Sequence, residues 1–251
     1  MSKATKQADK NWIPSPYQDA AKNLAEDAIK RFVKQDQDQD QGNSQVIGLG
    51  SGPMTAEIVR QMKNRVRNKG TIEGIVTSFQ IKLEAQYSGL KIIDESRIPE
   101  IDVVFDGADE IDANYNMIKG GGGALLKEKI VHSAAKKVVI TAESKKFVEK
   151  FTWPVPIEVS PFAISIVARK LEQKAGGRPK LRMLNEGYPY VTENGNFILD
   201  TGLNFSVTNN IRKKEIELKN IPGVIEVGLF TRHADVYYKA NTDGSFETIE
   251  L

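Results

Sequence analysis

The sequence contains no cysteine and only two histidines, His132 and His233, among its 251 residues. Without cysteine the chain has no disulfide, no thiolate nucleophile and no thiolate metal ligand. Two histidines are too few for a multi-histidine metal centre. The formal net charge is only +2, whereas a dedicated nucleic-acid-binding protein normally carries a basic excess. We therefore expect neither cysteine-based chemistry nor a nucleic-acid partner.

Long hydrophobic runs are also missing. No run approaches the roughly 20 apolar residues that a helix needs to span a bilayer, so we expect no membrane partner. The N-terminal segment MSKATKQADKNWIPSPYQ is polar and lacks the apolar core of a secretory signal, which predicts a cytoplasmic protein. The composition, 40% hydrophobic and 27% charged, is that of an ordinary globular chain with room for one large domain or two modest ones.

Short β-rich segments alternate with amphipathic segments between residues 17 and 141. Strands are predicted at Gln45–Leu49, Ile72–Ser78, Lys91–Ile93, Ile101–Phe105 and Lys137–Thr141. Helices are predicted at Tyr17–Gln35, Met54–Lys69, Gln80–Tyr87 and Ala124–Lys136, and the polar repeat Gln35–Gln41 is predicted to be a solvated loop. This alternation predicts an α/β fold in which helices cover both faces of a parallel sheet.

Three prolines within residues 153–161 mark a change of pattern. Beyond them the sequence predicts a smaller α+β unit. Its predicted elements are a strand within residues 176–184, a hairpin around Glu193-Asn194-Gly195, helices Phe162–Lys174 and Ile211–Lys219, and a strand Gly223–Phe230. The tail after this strand is predicted to return to the first sheet as edge strands. The predicted domains are therefore 1–154 together with 229–251, and 155–228.

The segment Val46–Val59 reads VIGLGSGPMTAEIV, which is typical of a strand, a glycine-rich turn and the start of a helix. Glycines 48, 50 and 52 allow backbone N–H groups to approach an anion, and the helix N-terminus adds positive potential. A tight turn without a ligand explains the pattern equally well. The segment is not a P-loop, because no Lys-Ser/Thr pair follows, and Pro53 stands where an NAD-binding fingerprint needs its third glycine.

Two hydroxyl residues, Thr77 and Ser78, stand at the carboxyl end of the second predicted strand. Ligands of open parallel sheets bind at those ends, so both are candidate ligand contacts. An N-cap of the next helix by either residue is the commoner explanation, and we favour it from this segment alone.

The most unusual segment, Asp106–Val131, reads DGADEIDANYNMIKGGGGALLKEKIV. Its acidic residues begin where a buried strand ends. Carboxylates this close disfavour each other's ionisation, which suits proton transfer near neutral pH. A divalent-metal site is the other chemical option, since hard cations bind clustered oxygens, and a solvated acidic loop is the plain alternative. Lys119 supplies a cation within the same segment.

Four glycines, Gly120 to Gly123, lead straight into an apolar helix. Without Cβ atoms such a loop can lay its N–H groups against a ligand. Glu128 lies about one turn into that helix, and it has a functional meaning only if its surroundings form a pocket. The lysines of AESKK, Ala142–Lys146, follow a strand and could meet a phosphate, although most surface lysines bind nothing.

Taken together, these segments resemble ribose-5-phosphate isomerase of the A type. The resemblance extends over nearly the whole chain from about Tyr17, and DGADEID followed by KGGGGALLKEKIV is highly specific to that family. GLGSG, TSFQ, AESK, PVPIEVSP, GGRP, NGNFILD and IPGVIEVGLF add to it. The resemblance implies a Rossmann-like α/β domain, a smaller α+β domain that serves as a lid or in oligomerisation, and a homodimer or homotetramer.

The family interconverts D-ribose 5-phosphate and D-ribulose 5-phosphate in the pentose phosphate pathway without cofactor or metal. By resemblance, Glu128 is the general base that moves a proton between C2 and C1 through an enediolate. Asp106 assists sugar-ring opening, Asp109 holds sugar hydroxyls and Lys119 supports the developing oxyanion. The residues that the resemblance places at the substrate are Lys22, Gly50, Ser51, Gly52, Thr55, Thr77, Ser78, Gly120, Gly121, Gly122, Gly123 and Lys145.

The phosphate end departs from the family pattern. Where the family usually has Ser-Thr, this chain has Pro53-Met54, so Thr55 comes one position late and Pro53 removes a backbone donor. Either Thr55 and the remaining amides bind the phosphate, or its affinity is weakened. The AESK motif assigns the second phosphate lysine to Lys145, whereas gapless spacing from Glu128 favours Lys146.

Two other functions deserve comparison with the isomerase. A non-catalytic sugar-phosphate sensor would keep the phosphate loop but would not need Glu128 together with Asp106 and Lys119, all of which are present. A nucleotide-binding oxidoreductase is disfavoured by the defective NAD fingerprint. The isomerase is therefore the leading hypothesis.

Overall fold

The computed structural model describes residues 13–34, 44–66, 72–175, 177–204 and 210–251. The predicted loop Gln35–Gln41 and residues 67–69 of the predicted helix Met54–Lys69 lie outside the described residues. The strands are β1 (Gln45–Leu49), β2 (Ile72–Val76), β3 (Lys91–Ile92), β4 (Ile101–Asp106), β5 (Glu110–Ile111), β6 (Met117–Ile118), β7 (Ala135–Glu143), β8 (Val155–Val159), β9 (Pro179–Leu181), β10 (Phe197–Thr201), β11 (Val224–Val227), β12 (Leu229–Phe230), β13 (Val236–Ala240) and β14 (Phe246–Glu250). The α-helices are α1 (Gln18–Phe32), α2 (Pro53–Val66), α3 (Phe79–Tyr87), α4 (Leu125–Ala134), α5 (Ile164–Ala175) and α6 (Ile211–Lys219).

A seven-stranded sheet of order β14-β13-β7-β4-β1-β2-β3 forms the larger part of the fold. Its neighbouring strands run parallel, apart from β14, which pairs antiparallel with β13 at the edge. Parallel strands place their carboxyl ends at one edge, where ligands of open sheets bind. The C-terminal tail forms β13 and β14 and so returns to this sheet, as predicted.

Helices cover both faces of this sheet. On one face, Leu24 of α1 and Ile58 of α2 pack in a cluster with Phe105 of β4. On the other face, Leu125 of α4 packs in a cluster with Val104. Val104 and Phe105 are adjacent in β4, and adjacent strand residues point to opposite faces. The predicted α/β fold, a largely parallel sheet between two helical layers, is confirmed.

Two smaller antiparallel sheets complete the fold. The order of the first is β11-β8-β10-β9 and that of the second is β12-β6-β5. Ile157 of β8 packs in a buried cluster with Val167 of α5 and Leu218 of α6. Helix Ile211–Lys219 has the predicted bounds. The division into domains at residues 154/155 and 228/229 stays a prediction.

The predicted strand Gly223–Phe230 is wrong as a single element. It is divided at Gly228 into β11, which pairs with β8, and β12, which pairs with β6. Gly228 donates from N to Pro156 O at 2.7 Å and accepts from Lys119 N at 2.9 Å. A Cβ at this position would lie 2.3 Å from Lys119 O, so the crossing between the two sheets requires glycine.

Several predicted boundaries also differ from the structure. Strand β4 includes Asp106, and α4 ends at Ala134 because β7 begins at the next residue. The first half of the predicted hairpin is not a strand: it forms only isolated bridges, from Pro189 to Met183 and from Val191 to Phe197. The two-residue strands β5 and β6 were not predicted, because two residues are too short for a period. Within the described ranges, no helix is long and apolar enough to cross a membrane.

Candidate active site

A cleft of about 310 Å³ opens at the carboxyl edge of the central sheet. It is lined by residues that follow β1, β2, β4 and β7, together with the glycine loop before α4. The predicted site residues in its lining are Ser51, Gly52, Thr55, Ser78, Asp109, Lys119, Gly120, Gly121, Gly122 and Glu128. Asp106, Gly50, Thr77, Gly123, Lys22 and Lys145 are not part of this lining.

Lys119 stands between two buried carboxylates. Its Nζ lies 3.0 Å from Asp106 Oδ2 and 3.3 Å from Glu128 Oε2. All three side chains are almost completely buried, with exposures between 0% and 5%. Lys119 Nζ also donates to Gly107 O. Glu128 Oε2 is buried, and beyond its ion-pair contact with Lys119 it has no hydrogen-bond partner in the described structure.

In this arrangement the pKa values of Asp106 and Glu128 shift in opposite directions. Burial, reinforced by the charge of Asp106 and only partly offset by Lys119, raises the pKa of Glu128 to about 8. For Asp106, burial acts in the same direction, but Lys119 and His132 outweigh it and hold its pKa below the usual range. Burial would lower the pKa of Lys119, yet the two carboxylates raise it overall. Near neutral pH the site therefore holds an ammonium, an aspartate anion and a glutamate close to its titration point.

Asp106 lies one layer behind the cleft wall. It is fully buried, and its Oδ1 accepts a hydrogen bond from Gly107 N at 2.7 Å. A Cβ on Gly50 would lie 1.9 Å from Asp106 Cγ. Gly50 is therefore required for Asp106 to fit beneath the turn after β1. The role of Asp106 in ring opening stays a prediction.

The glycine loop packs closely against side chains from both sides. Gly121 N donates to Asp109 Oδ2 at 2.7 Å, and Tyr190 Oη donates to Gly122 O at 3.0 Å. Gly123 has a φ of +81°, and a Cβ there would lie 2.3 Å from Tyr190 Oη. Arg182 Nη1 donates to Gly120 O at 2.8 Å. The loop is thus held in one conformation, not left free as a flexible linker would be.

The turn after β1 contacts the hydroxyls after β2. Ser51 Oγ lies 3.0 Å from Thr77 Oγ1 and donates to Ser78 Oγ at 2.8 Å. Ser78 caps α3 by accepting from Ile81 N at 3.3 Å, so the expected N-cap is present at a residue that also lines the cleft. Thr55 is completely buried, and its Oγ1 has no hydrogen-bond partner among the described residues.

The candidate phosphate lysines lie in different places. Lys146 lines the cleft, with its Nζ 3.0 Å from Glu143 Oε2. Lys145 Nζ lies 5.6 Å from the ring centroid of Tyr17, away from the lining. The Lys22 side chain is 57% exposed and lies near Asp19. The roles of Lys22 and Lys145 stay predictions, whereas the position of Lys146 agrees with the gapless spacing from Glu128.

Sequence reasoning did not assign three residues at or beside the site. Glu143 is buried in the cleft wall at the end of β7. Glu193 lies at the tip of the predicted hairpin, lines the cleft and accepts from Phe79 N at 2.7 Å. His132 lies on the same face of α4 as Glu128, four residues later, and contacts Asp106 at 2.7 Å. The i, i+4 spacing from Glu128 was the one available signal for His132.

The acidic residues of the segment Asp106–Val131 were considered above as ligands of a divalent metal. In the part of the chain that the structure describes, no three histidine or acidic side chains are grouped as ligands of an ion would be. The charge of Asp106 and Glu128 is directed instead at Lys119. Metal independence itself stays a prediction.

Comparison with known proteins bears on the same residues. A family profile described as ribose 5-phosphate isomerase A (phosphoriboisomerase A) matches residues 73–244, which include Asp106, Lys119 and Glu128. The chain belongs to the ribose-5-phosphate isomerase A family. It is 40% identical over 223 residues to ribose-5-phosphate isomerase A of Thermosynechococcus vestitus, a match that covers 85% of this chain and 92% of the relative. It is 41% identical over 209 residues to human ribose-5-phosphate isomerase, covering 81% and 67% of the two chains.

Solved structures of the ribose-5-phosphate isomerase A family share the fold. The structure from Methanocaldococcus jannaschii has a TM-score of 0.82 at 34% identity, and the match covers 93% of this chain and 99% of that one. A D-ribose-5-phosphate isomerase in complex with phospho-erythronic acid has a TM-score of 0.83 at 33% identity, covering 94% and 99%. The predicted resemblance is confirmed.

Proposed function

We propose that this chain interconverts D-ribose 5-phosphate and D-ribulose 5-phosphate, with Glu128 as the general base. The observation that carries the proposal is the position of Glu128: a buried carboxylate at the cleft wall, 3.3 Å from the ammonium of Lys119. Membership of the ribose-5-phosphate isomerase A family supports the substrate. A relative solved with phospho-erythronic acid, a phosphorylated sugar acid, supports the chemical class of ligand.

The reaction requires one base that serves two adjacent carbons. In the open-chain aldose, Glu128 removes the proton from C2, and the electron pair moves onto the C1 carbonyl oxygen to give an enediolate. A proton passes from the C2 hydroxyl to the C1 oxygen, and the same carboxyl returns the proton that it took to C1, which leaves a hydroxymethyl group at C1 and the ketone at C2. A base whose pKa is about 8 accepts and releases a proton readily near neutral pH, which is the condition for efficient general acid–base catalysis.

The surrounding charges support the enediolate. Lys119 is the buried cation next to Glu128, and its ammonium stabilises negative charge that develops on the sugar oxygens. Asp109 lines the cleft and is fixed by Gly121 N, so its carboxylate is placed to accept hydrogen bonds from sugar hydroxyls. Asp106 maintains the charge of Lys119 from behind the wall.

The phosphate is bound at the turn after β1. The N-terminus of α2 offers positive potential and the backbone N–H groups of Met54 and Thr55, since Pro53 has none. Thr55 also brings a buried hydroxyl that has no partner among the described residues. Lys146 adds a cation from the end of β7. In this proposal Thr55 replaces the missing Ser-Thr hydroxyls, and Lys146, not Lys145, is the lysine that contacts the phosphate.

The first test is turnover of ribose 5-phosphate by purified protein after exhaustive chelation, beside Glu128→Gln. Turnover that survives chelation and falls by about 10²–10⁴-fold in the variant is expected of a metal-independent general base. Glu172→Gln on the exposed side of α5 is the matched control and keeps full activity. Activity in Glu128→Gln close to that of the wild type would move the base elsewhere.

Inactive wild-type protein that still binds ribose 5-phosphate would instead indicate a sugar-phosphate sensor. In that case a rise in melting temperature with the sugar phosphate would report the binding. The first substitution to test would then be Ser-Thr in place of Pro53-Met54, which departs from the family pattern. A rise with NAD and none with the sugar phosphate would contradict both functions.

The setting of the reaction is also part of the proposal. We place it in the cytoplasm and expect a homodimer or homotetramer, as the family resemblance implies. Light scattering of the purified chain at several concentrations distinguishes the two assemblies from each other and from a monomer.

A further inference from the structure

We propose that His132 is a positioning residue for this reaction: by donating a hydrogen bond to Asp106, it leaves the ammonium of Lys119 shared with Glu128. The inference rests on the proposed function and extends it to a residue outside the cleft lining. His132 lies on α4 one turn after Glu128 and is 5% exposed. Its Nε2 is 2.7 Å from Asp106 Oδ2.

The direction of this hydrogen bond follows from charge. An ionised carboxylate only accepts, and Asp106 is ionised because Lys119 and His132 hold its pKa low. His132 Nε2 must therefore carry the proton. Burial lowers the pKa of His132, so the donor near neutral pH is the neutral imidazole with its proton on Nε2.

The imidazole is held in place on several sides. Its ring packs edge-on against Phe230 with centroids 5.4 Å apart, and its backbone carbonyl accepts from Arg232 Nη1 at 2.6 Å. Arg232 also donates to the carbonyls of Ser133 and Ala135, which closes the C-terminal end of α4. The contact with Asp106 is thus a fixed feature of the helix end.

His132 and Lys119 share one oxygen of Asp106, and this sharing links His132 to catalysis. Asp106 Oδ2 lies 2.7 Å from His132 Nε2 and 3.0 Å from Lys119 Nζ. If His132 is removed, Lys119 is the only side-chain partner among the described residues that is left to balance the buried Asp106 charge, and the ammonium is drawn away from Glu128. The ionised form of Glu128 then loses support, and so does the enediolate.

Other charges near these groups do not supply the same bond. The charges that act most strongly on His132 are those of Asp106, Lys119 and Arg232, and Arg232 is committed to backbone carbonyls. The cavity on the other side of His132 is lined by the further charged side chains Lys129, Arg212, Glu215, Lys219 and Glu226. The charges that act most strongly on Glu128 are those of Asp106, Lys119 and Asp109, and Glu143, Lys146 and Glu193 line the same cleft. Within this set, His132 alone is a neutral donor to Asp106, so its loss changes the distribution of charge without changing its sum.

The experiment compares His132→Phe, which keeps the ring volume but removes the donor, with His132→Gln, whose longer side chain can place an N–H near Nε2. For His132→Phe we expect kcat to fall about tenfold with little change in KM, as for loss of one charge-assisted hydrogen bond. We also expect the acid limb of the pH–rate profile to move to higher pH by about half a unit or more. His132→Gln should recover most of both effects, and Ser133→Ala, one residue further on α4, should change neither.

Two outcomes would overturn the assignment: a pH–rate profile of His132→Phe that superimposes on the wild type, or a His132→Gln variant no better than His132→Phe. If His132→Phe does not fold, His132→Asn replaces it, since Asn lacks the reach of Gln but keeps its amide. If the wild type itself has no isomerase activity, the proposed function fails first. The assignment is then tested by the ¹³C NMR titration of the Glu128 carboxyl, which should move to higher pH in His132→Phe and return in His132→Gln.

Discussion

The buried position of Glu128 makes a testable prediction about stability. Its pKa rises from 4.5 to about 8 on folding, so across that window the folded protein holds a proton that the unfolded chain has released. Stability from this group is therefore greatest below the window and is lost as pH rises through it. Glu128→Gln removes the titration while keeping the shape of the neutral side chain. The variant should therefore become progressively more stable than the wild type as the pH increases.

The magnitude follows from the proton count. Each pH unit within the window changes the free energy of unfolding by about 1.4 kcal/mol. Between about pH 6 and about pH 8 the wild type should lose roughly 2 kcal/mol relative to Glu128→Gln, because the titration is only half complete at the upper limit. For a chain of this length that corresponds to a change of about 6 °C in the difference between the two melting temperatures.

The assay is urea or thermal unfolding of both proteins at the two pH values and at one fixed protein concentration. His132 and the other titrating groups are present in both proteins, so their contributions cancel to first order in the difference. Glu172→Gln is the control and should parallel the wild type. A difference between wild type and Glu128→Gln that is the same at both pH values would refute the assignment of a raised pKa to Glu128.

Three further predictions concern catalysis and packing. kcat/KM for ribose 5-phosphate should rise with pH and level off above about pH 8, because the base acts only when ionised; a profile flat down to about pH 6 would contradict this. Lys146→Ala should raise KM about tenfold or more, as expected for a lost charge-assisted contact, while Lys145→Ala changes it little; the reverse order would restore Lys145 as the phosphate lysine. Gly50→Ala should lower the melting temperature and the activity together, because its Cβ would lie 1.9 Å from Asp106 Cγ; circular dichroism with the turnover assay checks both.

The acidic and glycine-rich segment shows how far the sequence alone could lead. Asp106 follows a run of buried strand residues and Glu128 lies one turn into a helix, so periodicity places both near the carboxyl edge of the sheet. Lys119 lies between them in the chain, and the structure brings all three together. Local patterns could place these residues near one another because they come from one short stretch of chain, whereas their roles were predicted from the family resemblance.

Residues contributed by distant segments were beyond such patterns. Glu193 reaches the cleft only because the hairpin of the smaller sheet lies beside α3, a placement that no local period encodes. His132 has a role only through the fully buried Asp106, and burial is a property of the packed structure. Lys145 and Lys146 differ by a single step in a 3₁₀ turn, Ser144–Lys146, and sequence spacing alone does not show which of the two enters the cleft.

The crossing at Gly228 connects the smaller sheet to the active-site lysine through backbone hydrogen bonds. The N–H of Gly228 donates to the carbonyl of Pro156, in β8 of the four-stranded sheet, and its carbonyl accepts from the backbone N–H of Lys119. One peptide segment therefore connects β8 of the smaller sheet to the backbone of Lys119, whose ammonium lies between Asp106 and Glu128. We expect a displacement of that sheet to be passed through these two hydrogen bonds to the backbone of Lys119. We therefore expect substitutions in the core of the smaller sheet to change the pKa of Glu128 by displacing Lys119. Such substitutions would alter the reaction rate although they lie outside the cleft.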